Sequence, residues 1–217
     1  MAGKIIVIEG TDYSDKERQS KLLEKKLKDN GKKCIRFEFP MYDTPTGKIV
    51  DMANISKNSK VIFPEGAINV DPYVTSLYYA ADRKYNMPKI YKYIEDDYYV
   101  ILDRYVPSNL AFQGSKIKDK DLRFEMYQWI DKLEYWLLKM PKPDKTIFLR
   151  VPYEYIINID EDYKNVINYL KDTEDSYIEL SELYNWDRIE CVENNQFRDK
   201  ELINEEIYNL VIKMEND

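Results

Sequence analysis

The chain has no histidine, two cysteines and only six glycines among its 217 residues. Without an imidazole, a His-based nucleophilic triad, a histidine metal centre and imidazole general-base chemistry are all excluded. Cys34 and Cys191 form no CxxC pair, which argues against a disulfide framework or a thiolate zinc site and fits a reducing compartment. Long apolar runs are missing too. No uninterrupted stretch approaches the roughly 20 residues that cross a bilayer, so no membrane partner and a cytoplasmic location are expected. The start, Met-Ala-Gly-Lys followed at once by Ile5-Ile-Val-Ile8, is too short for a signal segment and is expected to be a buried strand. Positive charge is in deficit: 33 Lys and Arg against 40 Asp and Glu give a net charge of -7. Binding to duplex nucleic acid requires a basic face that displaces counterions, so no nucleic-acid partner is expected. Chemistry must rest on carboxylates, Lys, Arg and bound metal.

What is present is enough for one well-filled core. With 44% hydrophobic residues, the chain is long enough for one domain over residues 1–217 and short for two. Lys4 to Glu9 reads as a strand; after Gly10, Leu22, Leu23 and Leu27 recur at helical spacing to about residue 29. Cys34 to Phe39 alternates as a second strand. Asp71-Pro72 is an N-cap followed by a first-turn proline, and the spacing predicts a helix to about Tyr85. Tyr98 to Leu102 is a strand covered on both faces, Pro107 to Gly114 a helix, and Asp119 to Leu138 another, with Tyr127, Ile130, Leu133 and Leu137 as its apolar stripe. Thr146 to Val151 and Asp187 to Val192 read as strands around a long acidic, Tyr-rich helical stretch from Tyr153 to Tyr184. A helix closes the chain after Asp199. Strands alternating with helices on this spacing imply a parallel sheet with right-handed crossovers and helices on both faces.

Three segments carry polar side chains to strand ends, where α/β sheets collect ligands. The first is Glu9-Gly-Thr-Asp-Tyr-Ser-Asp-Lys-Glu-Arg18, at a strand-to-helix turn whose free N–H groups suit an anion. Against the phosphate-cradling pattern G-x-x-x-x-G-K-[ST], only Gly10 and Lys16 match; Asp15 replaces the second glycine and Glu17 the metal-binding hydroxyl. A carboxylate about 4 Å from a phosphate oxygen opposes binding by roughly 4 kcal/mol at an effective dielectric near 20. The second segment pairs Tyr79 with Arg83, four apart on one helix face, where an aromatic ring and a guanidinium can stack a base and address its edge; core packing is the alternative. The third, Val100-Ile-Leu-Asp-Arg-Tyr-Val-Pro-Ser-Asn-Leu-Ala-Phe-Gln-Gly114, delivers Asp103 and Arg104 to the end of a strand. There a guanidinium fork can grip phosphate oxygens in two places.

Together with Phe39-Pro40, Gly47-Lys48, Leu133-Glu134 and Pro141-x-Pro-Asp144, these segments resemble the thymidylate kinase family of P-loop nucleoside monophosphate kinases over most of the chain. The resemblance implies an α/β, three-layer P-loop NTPase-type fold: a parallel sheet with helices on both faces and a lid-like segment at about 153–184. It also implies transfer of the γ-phosphoryl group of ATP to dTMP, with Mg2+ as cofactor, and a homodimer for which Trp129 and Trp136 offer a face. By matching position, Asp12 would meet the deoxyribose 3'-hydroxyl, Tyr79 would stack on the pyrimidine and Arg83 would address its edge. Arg104 would hold the acceptor phosphate, with Asp103 as the metal or catalytic carboxylate, and Pro40, Ser108 and Gln113 would complete the nucleotide wall. Gly10, Lys16 and Arg18 would serve ATP, with Lys16 catalytic. Departures gather on the ATP side: Tyr13, Asp15, Glu17, the acidic Ile157 to Tyr163 where the family's lid is basic, and Arg150 where an Asp is usual. An inactive nucleotide-binding module that keeps dTMP is the alternative.

Overall fold

The computed structural model describes residues 3–11, 13–53, 63, 67–159 and 167–214. Its main sheet contains β1 (Lys4–Gly10), β2 (Cys34–Glu38), β3 (Tyr99–Asp103), β4 (Lys145–Arg150) and β5 (Asp187–Glu190), in the order β2-β3-β1-β4-β5 with every neighbouring pair parallel. The sequence of β1 explains its central place. Ile5 and Val7 meet Val100, Leu102 and Phe148 on one face, while Ile6 and Ile8 meet Ile101, Ile147 and Leu149 on the other. A strand with no polar face belongs inside a sheet covered on both sides. Each fully buried aliphatic side chain here contributes about 1.5–3 kcal/mol.

The helices are α1 (Lys16–Asp29), α2 (Pro45–Ala53), α3 (Pro72–Glu95), α4 (Val106–Gly114), α5 (Lys120–Asp131), α6 (Tyr153–Ile159), α7 (Ile167–Leu183) and α8 (Lys200–Lys213). Leu23 and Leu27 of α1 and Ile203, Ile207 and Val211 of α8 cover the Ile6 face. Met87 and Ile90 of α3, Leu110 of α4, Met126 and Ile130 of α5 and Leu180 of α7 cover the Ile5 face. The result is the three-layer α/β arrangement that the alternation predicts.

Four boundaries differ from the sequence reading. The Asp71 carboxylate caps α3 by accepting from Tyr73 and Val74 N–H at 2.9 and 3.0 Å, but the helix continues ten residues past Tyr85, through Pro88. An interior proline costs about 3 kcal/mol, and burial of Met87 and Ile90 on either side offsets it. The expected helix from Asp119 to Leu138 changes pitch at Asp131, where a π turn (Lys132–Leu137) begins and Leu138 N–H bonds the Leu133 carbonyl at 2.9 Å. The stretch from Tyr153 to Tyr184 is two helices, α6 and α7; residues 160–166 between them lie outside the described residues. The last strand ends at Glu190, and the chain turns into a hairpin of β6 (Val192–Glu193) and β7 (Gln196–Phe197), with Asn194 and Asn195 both left-handed as a tight hairpin turn requires.

Connections leave β1 toward β2 and leave β3 toward β4, in opposite directions along the sheet. A crevice therefore opens between the carboxyl ends of β1 and β3, the usual ligand position in such sheets. Among the described residues, no helix is long and apolar enough to cross a membrane.

Candidate functional site

Glu9 and Arg104 meet in this crevice. The helix that follows β3 begins with an unusual shortage: Tyr105 at its N-cap provides no side-chain acceptor, and Pro107 has no N–H. β1 supplies the missing acceptor. Glu9 Oε1 receives the N–H groups of Tyr105 and Ser108, each at 3.0 Å, so a carboxylate from another strand caps α4. Its Oε2 accepts the Ser108 hydroxyl at 2.6 Å and the Tyr177 phenol at 2.9 Å. Complete burial raises the Glu9 carboxyl above its usual range, against the lowering influence of Arg104 and these donors. Burial also raises Tyr177 well above the usual phenol range, which keeps its proton available to donate.

Arg104 sits at φ 65, a left-handed conformation that turns its side chain across the crevice mouth, and its N–H bonds the Ile8 carbonyl at 3.1 Å. Its Nη1 donates to Ser108 Oγ at 3.2 Å and to Tyr177 Oη at 3.4 Å, and its guanidinium lies 5.1 Å from the centre of the Phe112 ring. A non-glycine residue held this way stores strain of about 1–3 kcal/mol, which the surrounding bonds must offset. The fork is thus fixed in place before any phosphate arrives.

Arg83 lies deeper. Its Nε donates to Glu134 Oε2 at 2.7 Å, its Nη2 pairs with Glu134 Oε1, and its Nη1 reaches the Tyr105 carbonyl at 3.4 Å. Both partners are buried, and the Glu134 charge, overriding desolvation, keeps the guanidinium above its ordinary range. The π turn is what aims Glu134 inward. On α4, Asn109 and Gln113 are one helical turn apart and both buried; Asn109 Oδ1 and Gln113 Oε1 have no hydrogen-bond partner among the described residues. Asn109 Nδ2 bonds Glu134 Oε1 at 3.1 Å, which sets Asn109 beside the Arg83–Glu134 pair. Tyr79, half-buried, lies on the same face of α3 as Arg83.

Asp82 organises the loop after β2. It accepts from Met41 N–H at 3.0 Å, from Thr46 Oγ1 at 2.8 Å and from Asn86 Nδ2 at 3.0 Å. Pro40 follows a cis peptide in this loop. A Cβ on Gly47 would collide with the Met41 carbonyl, so only glycine lets α2 seat against it.

The turn from β1 to α1 bends through two left-handed residues, neither of them glycine. Tyr13 and Asp15 are both left-handed, at φ 60 and φ 56, and Ser14 Oγ donates to the Thr11 carbonyl at 2.8 Å. Aspartate tolerates this region better than most residues, at a cost of roughly 1–2 kcal/mol. The Asp15 carboxylate lies 3.7 Å from Arg18 Nη1, and Glu17 pairs with Lys21 at 2.5 Å, so each added acid has a cation on its own helix. Lys16 opens α1. Gly10 admits no Cβ, which would meet the Leu149 carbonyl at 2.9 Å and Ser14 Oγ. Asp12 lies outside the described residues.

Asp103 is paired with a cation. Asp103 Oδ2 accepts from Arg36 Nη2 at 2.7 Å and lies 3.3 Å from Ser20 Oγ. Among the described residues, no group of three or more His, Cys, Asp or Glu side chains could hold a metal ion. Arg150 is tied to Glu174 through Nε at 2.7 Å and to Glu190 through Nη1 at 3.0 Å, which fastens β4 to α7 and β5. Arg104 and Ser108 therefore meet at the crevice, Arg83 and Gln113 are buried on α3 and α4, and Lys16 opens α1, the helix that follows β1. Sequence reasoning missed Glu9, Asn109 and Tyr177. The signal for Glu9 was available: a helix start with a proline and no capping side chain requires an acceptor from elsewhere.

A family model described as thymidylate kinase matches residues 8–207. The thymidylate kinase of Schizosaccharomyces pombe is 32% identical over 149 residues, 69% of this chain but only 61% of that protein. The probable thymidylate kinase of Thermococcus gammatolerans is 27% identical over 200 residues, 89% of this chain and 90% of its own. Among solved structures, the thymidylate kinase of Candida albicans matches with a TM-score of 0.73 at 21% identity, covering 99% of this chain and 93% of that one. The five-stranded parallel sheet is thus that of a known α/β fold, and the chain belongs to the thymidylate kinase family.

Proposed function

We propose that this protein transfers the γ-phosphoryl group of Mg-ATP to dTMP, giving dTDP and ADP. The observation that carries the reading is the fixed Arg104 fork, held by Ser108 and Tyr177 one strand away from the turn that bears Lys16. Phosphoryl transfer needs in-line positioning and charge neutralisation rather than a covalent side chain, so the lack of histidine is no obstacle. Arg104 grips the acceptor phosphate, and Lys16, with Arg18, draws on the donor phosphates. The open acceptors of Asn109 and Gln113 suit a base that presents a ring N–H, which a pyrimidine such as thymine does. Tyr79 stacks on that base, Arg83 addresses its edge, Pro40 closes the wall, and Asp12 takes the sugar hydroxyl. Magnesium arrives with ATP as part of the substrate and spreads the phosphate charge.

A coupled assay for dTDP formation from dTMP and Mg-ATP tests this, with Lys16→Ala as the control. Turnover no higher than that control would reject the transfer. In that case a melting-temperature rise with dTMP, without one for Mg-ATP, would leave a binding module. We further propose one functional domain acting as a homodimer in the cytoplasm; sedimentation at micromolar concentration tests the dimer.

A further inference from the structure

β2 contributes a charge that the packing of the sheet does not call for. Arg36 lies opposite Ile101 of β3, and its side chain is only 11% exposed. Nε donates to Ser20 Oγ at 2.7 Å, and Nη2 donates to Asp103 Oδ2 at 2.7 Å and to Glu38 Oε2 at 2.8 Å. Ser20 Oγ in turn lies 2.9 Å from the Glu17 carbonyl in the first turn of α1. The guanidinium therefore bridges the end of β3 to the helix that the phosphate loop opens, and its Nη1 has no partner among the described residues. We propose that Arg36 is a resident cation of the triphosphate site, filling the place beside Asp103 that a divalent ion would otherwise take and giving the phosphates a positive charge independent of metal.

Charge around the loop supports this assignment. The carboxylates of Asp15, Glu17, Glu38 and Asp103 face the cations Arg18, Lys21 and Arg36, together with Lys16 at the head of α1. Remove Arg36 and the loop is acidic before a triphosphate arrives. Lys21 foremost, and Arg36 and Lys16 more weakly, hold the Glu17 carboxyl below its ordinary range, which places the guanidinium within electrostatic reach of α1's first turn. An arginine suits the task because it stays charged in a half-buried setting and presents a fixed fork. Arg36 acts on the reaction through Asp103 and the phosphates, as a positioning residue.

The inference rests on reading the β1–α1 turn as a triphosphate site. Calorimetric titration of ATP with magnesium, and of ATP with excess EDTA, separates the two. The wild type is expected to bind metal-free ATP within about tenfold of Mg-ATP, and Arg36→Gln to lose about tenfold or more on metal-free ATP but only a few-fold on Mg-ATP, with dTMP affinity unchanged. A wild type that binds Mg-ATP but not metal-free ATP overturns the role of Arg36 alone, as does an Arg36→Gln variant that binds metal-free ATP as tightly as the wild type. No binding of either form overturns the triphosphate reading and this inference with it. Should Arg36→Gln fail to fold, the wild type still decides. Magnesium alone is expected to leave its melting temperature unchanged, and a rise of several degrees would show a resident metal site and refute the proposal.

Discussion

Two sides of one crevice handle charge differently. On the acceptor side, Arg83 and Glu134 are sealed together between α3 and the π turn, and Glu9 has both oxygens filled by donors from α4 and α7. On the phosphate-loop side, Asp15 and Glu17 are paired within a single turn of α1, with side chains 34% and 65% exposed. A buried pair is unforgiving because removing either partner leaves the other's charge buried without its counter-ion. An exposed pair is screened by water and salt and can be exchanged at little cost. The fold thus tolerates acidic residues on the phosphate-loop side, whereas the acceptor side depends on its buried pairs.

That contrast can be broken most severely at Arg83. Arg83→Met leaves Glu134 charged and buried, and an unfolding titration is expected to show a loss of about 3–5 kcal/mol; the double variant Arg83→Met with Glu134→Leu should recover most of it. On the other side, Lys16→Ala is expected to leave stability nearly unchanged yet lower kcat by about 10²–10³, the usual consequence of removing one donor to developing phosphate charge. Tyr177→Phe sits between the two. It strips one donor from Glu9 and one acceptor from Arg104, costs about 1–3 kcal/mol of stability, and should raise the KM for dTMP more than the KM for ATP in steady-state kinetics.

Smaller effects sharpen the comparison. Asp15→Gly relieves the left-handed strain and removes a carboxylate, so it should stabilise the fold by about 0.5–1 kcal/mol and tighten Mg-ATP binding. Lys116, whose ammonium donates to the Val70 carbonyl at 2.9 Å and to Thr75 Oγ1 at 3.3 Å, is lowered by burial to about 8. Between pH 8 and the ordinary lysine value of 10.5, the unfolded chain holds a proton that the folded one has shed, so stability rises with pH across that window. Lys116→Met should flatten this slope in a series of denaturant melts.

The strands were legible because parallel strands buried on both faces are written as apolar runs: Ile5 to Ile8 and Val100 to Leu102 could be little else. The helix cap at Asp71 was legible for a similar reason, since the capping side chain is local. Features that join distant segments were not. The length of α3 depends on burial that outweighs Pro88, and the π turn depends on drawing Glu134 toward Arg83, 51 positions away. At the site, local geometry made Arg104 and Gly10 visible. Glu9, Tyr177 and Arg36 act across 96, 168 and 67 positions, and no periodicity encodes such partners. The phosphate loop was misleading in the opposite direction. Its letters break the usual pattern at Asp15, yet the backbone there takes a left-handed conformation that favours glycine.

The wide turn at Lys132–Leu137 bears on how this protein can change over time. A turn of that kind carries one residue more than a regular helix needs, so trimming a single codon there would yield a straighter rod and satisfy every main-chain bond. It would also swing Glu134 by about a quarter of a revolution and leave the buried Arg83 guanidinium without its carboxylate partner. The segment is thus protected against an otherwise harmless deletion by a side chain on another helix.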